Sequence, residues 1–264
     1  MKKLLLVALP IVLLMPVLTK AQSDFDGTWK IDLNKAIMPD KPEVFLLQRG
    51  NYQCKTCVPV INVKADGEDH SVPGNPSYDA ISVKILGDQG FERIEKQKGK
   101  TVATSRMTVS PDGATATVEF TDSSNTDPVT YKETVTRQGK AKRPGGAPAI
   151  SGSWRISKIE SISDNGLLLT FKVDGDSLNM NTPAGQSYSA KLDGTDAPYK
   201  GNSGINGVSV MRLGKGTVEE TDKRDGKAVR VTRLMVDPGD TKTMELIVTD
   251  SLRGTTTVFV THKQ

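Results

Sequence analysis

Polar and apolar side chains alternate in short runs along most of this chain. Residues 115–121 read Thr-Ala-Thr-Val-Glu-Phe-Thr, and residues 228–236 read Ala-Val-Arg-Val-Thr-Arg-Leu-Met-Val. Residues 255–260 are β-branched apart from Phe259. A period of two over a strand length predicts half-buried strands. Pro111-Asp112-Gly113, Asp225-Gly226 and Pro238-Gly239 supply the turns between them. No long stretch after the N-terminus carries a helical period, and residues 38–41 around Pro39 read as a loop. Closely spaced strands of this kind predict an all-β protein of antiparallel up-and-down barrels.

The pattern occurs twice. Gly27-Thr28-Trp29-Lys30 returns as Gly152-Ser153-Trp154-Arg155, and these motifs hold both tryptophans of the chain. Further on, Lys64-Ala65-Asp66-Gly67 is matched by Lys191-Leu192-Asp193-Gly194, with an offset of 127. At that offset 18 of the 50 positions from residue 64 to residue 113 are identical without a gap. Self-similarity over so long a run marks a duplication. It predicts two tandem small β-barrels of about eight strands each, over residues 22–137 and 151–264. Residues 138–150 between them are basic and rich in Gly and Pro, the composition of a solvated linker.

The first 21 residues stand outside this pattern. Lys2 and Lys3 precede an apolar run over residues 4–18, and Thr19-Lys20-Ala21 places small residues where a signal peptidase reads. This predicts a secretory signal peptide cleaved after Ala21, and so an exported protein of the periplasm or the medium. The run is interrupted by Pro10 and Pro16 and is short for a membrane span, which needs about 20 residues. Removing residues 1–21 takes away Lys2, Lys3 and Lys20 and no acid, so the formal charge falls from +4 to +1. A near-neutral mature chain gives no reason to expect nucleic acid as a partner.

Phe25-Asp26-Gly27-Thr28-Trp29-Lys30 resembles the opening strand of fatty-acid-binding proteins and lipocalins, the calycin barrels. The hairpin series from Gly216 to Val236 is also similar, and the whole resembles tandem lipocalin-like exported bacterial proteins. The resemblance implies that Trp29 and Trp154 plug the closed ends of their barrels. It implies a late basic residue packed on each Trp: Arg137 in the first copy, Lys263 or His262 in the second. It also implies that Arg106 and Arg233, at equivalent strand positions, face the cavity and hold a ligand carboxylate. Strand parity divides on that point. Arg106 lies opposite the more apolar face of its strand, whereas Arg233 shares a face with Val229, Val231 and Met235. The chain departs from the family in two ways. No pair of short helices is legible in residues 34–44 or 157–166, and the Arg-x-Tyr pair those proteins place near their C-terminus is absent.

Candidate chemistry is sparse. Cys54-Lys55-Thr56-Cys57 occurs in the first copy alone. A redox dithiol would want a βαβ setting, and a metal site about four ligands. A local disulfide formed after export needs neither. His70 lies in a polar turn and His262 two residues from the last, so neither suggests a catalytic base, and no metal site or cofactor is implied. Glu92 and Glu219 recur in the two copies, as do Asp69 and Asp196, each in or beside a turn where a charge is solvated. The reading that follows is a non-enzymatic exported protein binding a small apolar or amphipathic molecule. The alternatives are a structural or protein-interaction module with solid barrels and, more weakly, an envelope enzyme.

Overall fold

A computed structural model describes residues 23–139 and 146–264. The signal segment, its cleavage site and the basic part of the linker lie outside the described residues. The protein is all-β, with one single-turn helix, α1 (Asp164–Leu167). The strands form two antiparallel barrel-like sheets of ten strands each, where the alternation suggested about eight. The difference arises in short strands without a visible period of two. In the first half β1 (Gly27–Ile37) is followed by β2 (Glu43–Gln48), β3 (Asn51–Cys54), β4 (Ile61–Lys64) and β5 (Asp66–Ser71). A two-residue turn at Arg49-Gly50 separates β2 from β3, with φ of 51° and 75°. Both central residues lie at positive φ, the conformation that matches the twist of a two-residue hairpin. The remaining strands of this half are β6 (Ala80–Ile85), β7 (Gly90–Gln97), β8 (Lys100–Val109), β9 (Thr115–Asp122) and β10 (Val129–Arg137).

The second half holds β11 (Gly152–Ile162), β12 (Leu168–Asp174), β13 (Ser177–Asn181), β14 (Ser187–Lys191) and β15 (Asp193–Lys200). It continues with β16 (Gly207–Gly214), β17 (Thr217–Arg224), β18 (Lys227–Val236), β19 (Thr243–Asp250) and β20 (Thr255–Lys263).

The two opening strands are exchanged. β1 does not join the barrel that follows it. It pairs with β12 through Gly27↔Phe171 and with β20 through Trp29↔Lys263. β11 in turn pairs with β10 through Arg137↔Trp154 and with β2 through Gly152↔Phe45. The first barrel is therefore built from β2 to β11, with β4 and β5 as its two edges. The second is built from β1 and β12 to β20, and it closes through β14 and β15. The division at residues 137 and 151 expected from the repeat is thus corrected: the contiguous unit runs from β2 to β11, and the opening strand of each copy lies in the other barrel. It is domain swapping within one chain.

The tail of the linker is also packed, where its composition suggested solvation. Ala147, Ala149, Ile150 and Ser151 are buried. Ile150 and Phe25 play one role in the two barrels. Each offers its carbonyl to the indole nitrogen of the following Trp, at 2.8 Å to Trp154 and 2.9 Å to Trp29. Ser151 and Asp26 play another, accepting the backbone N–H of Leu47 at 2.9 Å and of Val173 at 2.7 Å. Each barrel thus closes around an apolar residue, a polar cap and a tryptophan from the copy it did not begin with.

Loops tie the barrels together. Arg253, between β19 and β20, pairs with Glu43 of β2 at 2.6 Å. Lys41 donates to the carbonyl of Gly254 at 2.9 Å, and Gln97 to that of Ser203 at 3.2 Å.

Candidate functional site

Both tryptophans are buried, each on the opening strand of its copy. Arg137 lies 4.0 Å from the centre of the Trp154 ring, and the ammonium of Lys263 lies 4.7 Å from that of Trp29. His262 does not take this place. Cys54 and Cys57 form a disulfide between the end of β3 and the loop that follows.

Arg106 and Arg233 are not in a cavity. Arg106 is exposed on β8, between Glu92 and Glu119 on the flanking strands. Arg233 is exposed on β18 and bonds Glu219 at 2.8 Å. Neither faces the interior of its barrel, contrary to the cavity-facing position expected for them. The reason is a β-bulge. The register of β18 shifts between Ala228 and Arg230, and that of β8 between Thr101 and Ala103. A bulge puts one extra residue on a strand and reverses its alternation. Val229 therefore packs against the core together with Arg230, Thr232 and Leu234, not with Arg233.

The bulge brings other residues inward. In the first barrel a cavity of about 260 Å³ opens above Trp154. Its apolar wall includes Phe45, Phe91, Met107, Val118, Phe120 and Ile156. Phe120 and Tyr131 stack across β9 and β10 with ring centres 4.5 Å apart. Four polar side chains share the lining: Glu43, Arg93, Ser105 and Glu133. Arg93 pairs with Glu95 two residues along β7, at 3.0 Å. Its Nε is buried without a hydrogen bond. Glu133 stands between Tyr131 and Val135 on the inner face of β10, opposite Val118. No described residue gives its carboxylate a hydrogen bond or an ion pair. Burial, and after it the charge of Glu43, pushes its pKa up to about 7. Burial also raises Glu95, against the pull of Arg93.

The second barrel is filled at the same level. Glu220 and Asp222 occupy the positions of Arg93 and Glu95, and Arg230 that of Ala103. Arg230 donates from Nε and Nη2 to Asp222 Oδ2, each at 2.6 Å. Tyr188 donates to Glu220 at 2.8 Å. Burial, then the charge of Asp222, holds the pKa of Glu220 well above the carboxylate range. Asp222 Oδ1 is buried and accepts no hydrogen bond. A proton held between Glu220 and Asp222 would satisfy this otherwise orphaned oxygen. Above this network the mouth of the barrel is a hollow of about 320 Å³, walled in part by Pro76 and Ser77 of the first barrel.

The two histidines lie outside the barrel interiors. His70 pairs with Asp66 at 2.8 Å on the surface of β5, and His262 lies 3.3 Å from the ammonium of Lys35. Among the described residues no group of three or more His, Cys, Asp or Glu converges on a point that could hold a metal ion. None of the described helices is long and apolar enough to cross a membrane.

The residues that matter inside the barrels had one signal in the sequence. Glu133 interrupts the inward apolar series Tyr131, Val135, and Glu220 and Asp222 follow Val218 on one face. An acid in phase with buried residues is the mark of a polar interior. Arg93 has Phe91 and Glu95 in its own phase, and Arg230 has Ala228 and Thr232, so neither interrupts an unbroken apolar series.

No protein-family model matches the chain, and no curated protein matches its sequence significantly.

Proposed function

We propose that this is an exported binding protein of the calycin kind. Its first barrel holds one small amphipathic molecule, and its second is a filled support. The observation that carries this reading is the cavity of about 260 Å³ above Trp154, with its aromatic wall and few polar groups. Binding sites for small molecules have this composition, an apolar lining with a few placed polar side chains. The volume lies just below the usual range of roughly 300–1,000 Å³ for drug-sized ligands, so the ligand is small. The Arg230, Asp222, Glu220 and Tyr188 network occupies the corresponding space of the second barrel, which favours one ligand per chain over two.

The test is the mass of the mature protein taken from its own host without detergent, under native and then denaturing conditions. The expected result is additional mass, equal to one small molecule per chain, that disappears on denaturation. Repeated absence of that mass, with no uptake of small apolar probes, would replace this reading with that of a solid interaction module.

A further inference from the structure

We infer that the molecule held in the first barrel is a small organic ammonium ion: an amine with an apolar, preferably aromatic, body. The inference rests on the reading of this barrel as a binding site and adds the ligand class. Its basis is the charge inventory around the cavity. Of the charged side chains in the lining, two are already paired. Arg93 is engaged by Glu95 at 3.0 Å, and Glu43 by Arg253 at 2.6 Å. Glu133 is left with no partner among the described residues, in an apolar wall. A half-buried carboxylate without a partner in an apolar wall is costly, and a positive group placed against it relieves that cost.

The surroundings of Glu133 select the same sign. Tyr131 precedes it on the inner face of β10, and Phe120 is stacked on Tyr131. Phe91, Phe45 and Trp154 line the same space. The face of an aromatic ring attracts a cation and repels an anion. A carboxylate ligand would meet Glu133 and Glu43 and would have to seek Arg93. That guanidinium is held by Glu95 at 3.0 Å. A neutral ligand would leave Glu133 uncompensated above its own pKa.

Size narrows the class further. At about 30 Å³ for each water-sized group, the cavity takes roughly nine non-hydrogen atoms. A long-chain fatty acid has about twice that number and does not fit. Phenethylamine matches the volume, the aromatic walls and the charge.

The experiment is calorimetric titration of the mature protein at pH 8 with three probes of nearly equal size: phenethylamine, 3-phenylpropionate and 3-phenylpropan-1-ol. Phenethylamine is expected to bind at least about tenfold more tightly than the other two, and Glu133→Gln to remove that preference. The variant replaces a side chain by its near-isostere. A thermal melt of the unliganded variant, expected to be no lower than that of the parent at pH 8, confirms that it is folded. Tighter binding of the carboxylate or the alcohol would overturn the ammonium while leaving a binding barrel. So would equal binding of the amine to parent and variant. Uptake of none of the three, with no ligand in the native mass, would overturn both the ligand class and the binding reading.

Discussion

Arg137 stacks on Trp154 at 4.0 Å, although the two residues belong to different copies of the repeat. The guanidinium also donates to the carbonyls of Gly113 at 2.6 Å, of Ser151 at 2.9 Å and of Ala149. One side chain thereby joins β10, the turn before β9 and the tail of the linker to the ring that closes the barrel. Its counterpart Lys263 covers Trp29 and donates to the carbonyl of Asp24 at 2.9 Å. An ammonium is a point charge without the planar fork of a guanidinium. Arg137→Lys is therefore expected to lose part of this bonding and to cost about 2 kcal/mol. Lys263→Arg is expected to change stability by less than 1 kcal/mol, the usual range for a surface side chain of roughly 0.5 kcal/mol. Urea unfolding of the two variants measures both. Equal effects would mean that the carbonyl bonds of Arg137 contribute nothing.

The exchange of opening strands predicts which fragment folds alone. A fragment of residues 43–163 contains every strand of the first barrel and the Trp154 plug, and it is expected to be a folded monomer with a cooperative thermal transition. A fragment of residues 22–137 keeps the repeat intact but lacks β11, leaving the edges of β2 and β10 without their partner in this structure. Circular dichroism and gel filtration of the two fragments decide the matter. Folding of 22–137 alone, with 43–163 unfolded, would show that the barrels form within copies.

Inside the second barrel, Glu220 and Asp222 predict opposite responses to similar substitutions. Glu220→Gln keeps an acceptor for Tyr188 and supplies an amide donor toward Asp222 Oδ1, so it mimics the protonated acid. Glu220 has its pKa raised in the folded state, and its contribution is present at low pH and lost as pH rises through that value. The variant is therefore expected to match the parent in acid and to exceed it in alkali. Asp222→Asn instead leaves Arg230 without its carboxylate and is expected to cost on the order of 3 kcal/mol. Thermal melts over a pH series separate the two, and parallel behaviour of both variants would refute the shared proton.

Glu133 sets a pH dependence in the first barrel. Its pKa moves up to about 7 on folding from an ordinary value of 4.5. The charged group that bears on it is Glu43 on β2. Because the folded state holds the proton more tightly, stability falls as pH rises from 4.5 through about 7. Glu133→Gln is expected to flatten that fall, since the amide cannot ionise. Chemical denaturation at pH 5, 6, 7 and 8 reads the slope directly, and an unchanged slope in the variant would assign the dependence to another group.

Much of this molecule was legible in one dimension. The alternation over residues 115–121 and 228–236 marked strands, and Asp225-Gly226 is a two-residue turn with both residues at positive φ. The Cys54–Cys57 pairing and the basic partners of the two tryptophans could be read from motif and position. The facing of Arg233 and Arg230 could not. A bulge reverses the alternation without any residue type that announces it, so parity counted through Val229 put the wrong arginine inside.

The sequence by itself determined that this chain makes two similar antiparallel barrels, because side-chain period and turn residues act over a few neighbours and need no knowledge of the rest of the chain. Which opening strand completes which barrel was decided only by the tertiary structure. Gly27-Thr28-Trp29 and Gly152-Ser153-Trp154 present nearly the same edge and the same plug, so local chemistry does not distinguish between the two sites. The choice falls to connection and packing. β11 returns beside β10 through a linker whose tail, Ile150 and Ser151, is buried in the first barrel, and β1 is left to fill the gap between β12 and β20. The same dependence on distant neighbours leaves Glu133 alone in its cavity and Glu220 in a filled one. Whether an inward acid meets a partner depends on strands far away in the chain.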